Sequence, residues 1–205
     1  MLANLKITEY LEKAAAGTAV PGGGSVAALN ASLAAGLTEM VANLTIGKKG
    51  YEAVAGEMSD ISARDAELRE KLTAAIDRDA EAYSEVMAAF KLPKATDQEK
   101  ELRKLEIQKA FKHAALVPME VAKHAVKVIE LAGRAVESGN KNAVTDGVVA
   151  AMNARTAALA ALYNVKINLI SIEDDEFVKE LTRKINDLEQ QAKSKEQEIL
   201  ARIVV

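Results

Sequence analysis

Apolar residues recur along this chain at the three-to-four-residue step of helices, and no stretch alternates convincingly enough to predict a sheet. Ile7, Tyr10, Leu11 and Ala14 mark one face of a short amphipathic helix, which Gly17 should end. The turn Val20-Pro21-Gly22-Gly23-Gly24-Ser25 then leads into a helix reaching about Ile46. That helix is apolar nearly all round, so it is expected at the centre of the fold. Its polar exceptions are Ser25, Ser32, Glu39 and Asn43, at seven, fourteen and eighteen positions beyond the first, along one stripe. A long helix is predicted from about Glu52 to Phe90, closed by Lys91-Leu92-Pro93-Lys94. The next runs from Asp97 towards Val136, with Pro118 expected to break or kink it and Gly139 placed to end it. After Gly139-Asn140-Lys141-Asn142 a helix follows from about Ala143 to Tyr163. Residues 164–172 are the one strand-like stretch, expected as an extended connector. A charged helix from Asp174 to Ile203 carries Phe177, Leu181, Ile185, Leu188, Ala192 and Ile199 near heptad spacing. That seam suits a partner helix, another subunit's included, although Lys195 and Arg202 interrupt it. The expectation is an all-α fold: one domain over residues 1–205, a bundle of six or seven helices that oligomerises.

Composition sharpens this picture. A chain of 205 residues can bury a full core without staples. Apolar residues make up 49% of it but aromatic ones only 3%, so Ala, Val, Leu and Ile carry the core and the helices can pack closely. The absence of Cys excludes a disulfide framework, a thiolate nucleophile and a cysteine-ligated zinc. A net charge of -3 argues against a nucleic-acid or anionic-membrane partner. The opening segment MLANLKITEYLEKAAAG mixes charged and apolar residues, so neither a signal peptide nor an anchor is expected there. The weakly polar run from Val26 to Leu37 is too short to span a bilayer, and a cytoplasmic location is the expectation.

The candidate chemistry is sparse. His113 and His124 lie eleven residues apart with Pro118 between them, and neither has a Glu at the three-residue spacing of carboxylate-bridged bundles, so no metal site is expected. No Gly-x-Ser-x-Gly elbow is present for a serine hydrolase. Gly22-Gly23-Gly24-Ser25 opens a helix whose amides could cradle an anion or a polar ring edge, although it is neither a P-loop nor Gly-x-Gly-x-x-Gly. A tight turn with Ser25 as N-cap would account for part of it, but three glycines exceed what a cap requires. Asp79 falls in a stripe with Leu72, Ile76, Tyr83, Val86 and Phe90, where a carboxylate is costly unless paired or used. A buried ion pair or an edge charge is the alternative for Asp79, and Asp77 reads as solvated. Asp146 sits in the first turn of its helix, where it balances the macrodipole beside an Asn140 or Asn142 cap, yet it shares a stripe with Asn153 and Ala157. Lys48, Lys49, Lys91 and Lys94 gather at helix ends, either solvated or facing an acidic ligand tail.

Taken together and in order, several segments carry a resemblance. They are Pro21-Gly-Gly-Gly-Ser-Val-Ala, Asp79-Ala-Glu-Ala-Tyr83, Lys91-Leu-Pro-Lys94, Val117-Pro-Met-Glu-Val-Ala122, Gly139-Asn-Lys-Asn-Ala-Val-Thr-Asp146 and Asn164-Val-Lys-Ile-Asn-Leu169. Over essentially its whole length the chain resembles the formiminotetrahydrofolate cyclodeaminase / methenyltetrahydrofolate cyclohydrolase family, which includes the C-terminal part of the animal formiminotransferase-cyclodeaminase. The resemblance implies a stand-alone version without the formiminotransferase part. It also implies a homodimer or higher assembly with the site near a subunit interface, and a folate substrate, polyglutamylated or not, with no metal or further cofactor.

On this reading Asp79 and Asp146 are the catalytic pair, one moving protons and one holding the pterin or the methenyl cation. Pro21, Gly22, Gly23, Gly24, Ser25, Tyr83, Asn140 and Asn142 would hold the ring, and Lys48, Lys49 or Lys94 the glutamate tail, with Glu39 lining the site. A non-catalytic assembly or folate-binding module built on the C-terminal heptads is the alternative.

Overall fold

The computed structural model describes residues 1–202. Among them the order is α1 (Ile7–Ala15), α2 (Gly23–Asn43), α3 (Ala55–Phe90), α4 (Asp97–Ser138), α5 (Val144–Leu169) and α6 (Asp175–Ala201). Short 3-10 turns lie at Leu2–Asn4, Glu52–Val54 and Lys141–Ala143, and no strand occurs among the described residues. The expected end of the last helix at Ile203 lies outside them.

Helix α2 is central, packed against α3, α4 and α5. Its Ala27, Ala28, Ala31, Ala34 and Ala35 are fully buried, which lets the backbones approach closely. By length and hydropathy alone α2 could cross a membrane, and its place at the heart of the bundle accounts for that composition. The polar stripe of α2 faces α3. Ser25 meets Asp79, Ser32 lies 2.7 Å from the Thr73 hydroxyl, Glu39 accepts from Arg69 at 2.8 Å, and Asn43 accepts from Ser62 at 2.8 Å.

Two expectations are corrected, and a third is met within the chain. Helix α4 continues through Pro118, because a donor from another helix takes the carbonyl that proline leaves free: Asn168 Nδ2 donates to Ala114 O at 3.0 Å. Residues 164–169 of the strand-like stretch are the end of α5, since Ala161, Val165 and Leu169 fall on one helical face and are buried there. The α6 seam is satisfied within the chain: Leu181, Ile185, Ala192 and Ile199 are buried against α4 and α5. Lys195, which interrupts the seam in sequence, pairs with Glu130 at 3.0 Å.

Candidate active site

A helix N-terminus exposes amides that need acceptors. At α2 the N-cap is Gly22, which has no side chain to supply one, and Ser25 is inside the first turn rather than the cap. The acceptor comes instead from α3: the Asp79 carboxylate takes the Ser25 hydroxyl at 3.0 Å and also the Ser25 backbone N–H. The same hydroxyl lies 2.9 Å from Ile76 O. Gly24 makes this approach possible, because a Cβ built there would collide with all three atoms of the Asp79 carboxyl group. Burial pushes the Asp79 carboxyl up from its usual range, and the two Ser25 donors oppose that rise without cancelling it. Asp77, read as solvated, instead accepts the backbone N–H groups of Leu2 and Ala3, tying the chain start to α3.

Asp79 borders a cavity of about 460 Å³, within the size range of small-molecule sites. The glycine turn from Gly22 to Gly24, Tyr83 and Phe90 of α3 and Phe111 of α4 line it. Asn164 and Asn168 of α5 complete it. These two asparagines were not singled out as site residues in the sequence, and their four-residue spacing only became a signal once the segment proved helical. Pro21 is buried at the turn, with a cis peptide bond before it.

The remaining candidates lie elsewhere. Lys48 donates to Asn140 Oδ1 at 2.6 Å beside the start of α5, Asn140 also accepts from the Asn142 N–H, and Asp146 stands in the first turn of α5. Asn164, which packs against Gly23 at the other end of the molecule, lies about 27 Å further along α5 at 1.5 Å per residue. One chain therefore does not bring Asp79 and Asp146 together. Lys49 and Lys94 are exposed, the latter in the loop between α3 and α4. Glu39 is held by Arg69 in the middle of the α2–α3 seam, away from the cavity.

A second buried acid escaped the sequence reading. Asp65 is fully buried on α3, both its oxygens lack a hydrogen-bond partner, and burial pushes its carboxyl up to about 8, with the nearby Glu39 adding to the rise. The signal was present: Asp65, Leu72, Asp79 and Val86 follow one another at seven-residue steps on the same face. His113 pairs with Glu85 at 2.7 Å in a separate cleft between α3 and α4.

A sequence model of the formiminotransferase-cyclodeaminase family matches residues 6–187. The chain is 37% identical to the methenyltetrahydrofolate cyclohydrolase of Methylorubrum extorquens over 188 residues, 92% of this chain and 90% of that protein. It is 31% identical to the formimidoyltransferase-cyclodeaminase of Rattus norvegicus over 94% of this chain but 36% of that longer protein. In three dimensions it is similar to the formiminotetrahydrofolate cyclodeaminase of Thermotoga maritima, with a TM-score of 0.87, 33% identity, and coverage of 97% of this chain and 96% of that one.

Proposed function

The chain belongs to the formiminotransferase-cyclodeaminase family, and from that membership we propose that it is a folate one-carbon enzyme acting at the methenyl bridge of tetrahydrofolate. It cyclodeaminates formiminotetrahydrofolate to the methenyl form and ammonia, hydrolyses the methenyl form to formyltetrahydrofolate, or does both. The observation that carries this reading is Asp79, a carboxyl raised by burial, held by Ser25 at the edge of a cavity of ligand size.

The two reactions ask for similar machinery. In one, the aniline nitrogen of the folate attacks the formimino carbon and ammonia leaves a tetrahedral intermediate. In the other, water adds to the same carbon of the methenyl bridge. Each needs a group that gives and takes a proton, and a carboxyl whose burial favours its neutral form suits that work. A second carboxylate stabilises the cationic methenyl species, and Asp146 is our candidate for it.

Asp146 can reach an Asp79 cavity only from another copy. The neighbouring helices α2 and α5 each keep an apolar strip exposed, with Val26, Leu33 and Met40 on one and Met152, Tyr163 and Ile167 on the other. Ile167 also lines the cavity, so a second chain that covered this strip would border the site. We therefore place the active site at a homodimer interface, with Lys48 and Asn140 brought in beside Asp146 to face the substrate's glutamate tail. No metal enters the scheme, and dialysis against a strong chelator should leave turnover unchanged.

The test is a pair of rates on one preparation: ammonia release from formiminotetrahydrofolate, and loss of methenyl absorbance above the spontaneous rate. Turnover of either supports the reading and their ratio assigns the principal reaction. Turnover of neither sinks it.

A further inference from the structure

Asn164 and Asn168 stand one helical turn apart on α5, and both line the cavity. What their amide nitrogens meet decides which way each amide faces. Asn164 Nδ2 donates to Ala160 O at 2.9 Å. Asn168 Nδ2 donates to Ala114 O at 3.0 Å and to Asn164 O at 2.8 Å. A backbone carbonyl can only accept, so each of these contacts demands the NH₂ side of the amide, and neither side chain can be flipped without losing it. Ala114 O is free to hold Asn168 because Pro118, four residues on, carries no N–H.

The consequence lies on the other side of each amide. Neither side-chain oxygen has a hydrogen-bond partner among the described residues, and neither is a buried unpartnered atom, so both stand open. Asn164, Asn168 and Asp79 all line the cavity and each carries acceptor oxygens, while Phe90 and Phe111 supply flat apolar surface for a ring. A ligand that satisfies these groups must present hydrogen-bond donors, N–H or O–H.

We propose that Asn164 and Asn168 are specificity-determining residues that read the N–H donors on the pyrimidine edge of the pterin, an assignment that rests on the folate reading above. That edge carries an exocyclic amino group and, beside it, a ring N–H. Two tethered acceptors discriminate against a ring that offers lone pairs or a methyl group there, because one partner is then left desolvated and unpaired.

The experiment uses the full-length protein and two ligands: a reduced folate, and an analogue in which a methyl replaces the exocyclic amino group. Affinity is measured by calorimetry, with the melting temperature of each unliganded variant as a control. The unsubstituted protein should prefer the amino ligand by about tenfold. In Asn164→Ala and Asn168→Ala that preference should fall, towards unity in the variant that has lost the acceptor of the amino group and in part in the other, where the ring is tethered by one contact fewer. Asn164→Ala is the cleaner variant, because its side chain donates only within its own helical turn. Should Asn168→Ala fail to fold, the ligand pair on the unsubstituted protein and on Asn164→Ala still decides. Equal affinity of the unsubstituted protein for both ligands overturns the proposal, as does a tenfold preference retained in every folded variant. Binding of neither ligand to the unsubstituted protein overturns the folate reading itself, and this assignment falls with it.

Discussion

A carboxylate set against a helix N-terminus is favoured in its charged form by the amides it accepts and driven towards the acid by its burial. At Asp79 burial is the larger influence. Asp79→Asn separates a capping role from a chemical one, because the amide oxygen can still accept from Ser25 but no longer exchanges a proton. Its melting temperature should stay close to that of the parent, while turnover drops by a factor on the order of a hundred to ten thousand. A variant with full turnover would reduce Asp79 to a cap. Asp65 gives a second, independent test, this time of stability. Unfolded, its carboxyl ionises near the usual 3.8, and folded near about 8. Between those values the unfolded chain holds fewer protons than the native one. The stability tied to protonated Asp65 is therefore complete below about pH 4 and is lost as pH rises towards about 8. The loss is on the order of a few kcal/mol, and Asp65→Asn should remove it, so denaturant midpoints of parent and variant diverge in their pH dependence. Parallel profiles would show Asp65 to be ionised or solvated. Asp79 was legible in the sequence because it breaks an apolar stripe, and Asp65 was equally visible seven residues on the far side of Leu72. What the sequence hid was the partner: that Ser25 would reach Asp79 depends on how closely α2 and α3 pack, which Gly24 permits.

The same dependence on neighbours explains why elements were read unevenly. Helices whose apolar positions repeat were recognised almost to their ends, including the α4 start, where Thr96 and Glu99 cap each other reciprocally. The break expected at Pro118 and the extended connector expected at residues 164–172 are replaced by two halves of one arrangement. Proline leaves a carbonyl free in α4, and the β-branched run beyond Tyr163 stays helical in α5, with Asn168 delivered to that carbonyl. Neither local rule was wrong; each was outweighed by a contact formed fifty residues or more away in sequence. This coupling is measurable by a double-mutant cycle on denaturation free energy. Asn168→Ala alone leaves Ala114 O unpaired and should cost about 1–3 kcal/mol. Adding Pro118→Ala restores an N–H four residues on, so the double variant should recover much of that loss instead of adding to it. Simple additivity would mean that the Asn168 contact is incidental. The α6 heptads show the opposite case, a pattern read correctly whose partner was this chain's own α4 and α5. That removes the main support for a pure assembly module.

At the scale of the molecule, the motif residues divide between two ends. Pro21 to Ser25, Asp79, Tyr83 and Asn164 gather at one, and Lys48, Asn140, Asn142 and Asp146 at the other. Sequence order cannot reveal such a division, because helices of α5's length carry residues far apart while periodicity reports only faces. If both groups serve one site, the site is made by two chains. A stable homodimer in light scattering is the first requirement, and Leu33→Glu, which sets a charge in the exposed strip of α2, should produce monomers and abolish turnover. Complementation is the sharper test. Asp79→Asn and Asp146→Asn should each be inactive as pure dimers. Unfolding and refolding them together in equal amounts gives hybrids, and in each hybrid one site holds both substituted residues while the other holds neither. With half the dimers hybrid and one of two sites intact in each, activity should return to about a quarter of the parent's. A site built within one chain gives no recovery under the same treatment, because every active site would still carry one substitution. The size of the recovered activity therefore reports directly on where Asp146 acts.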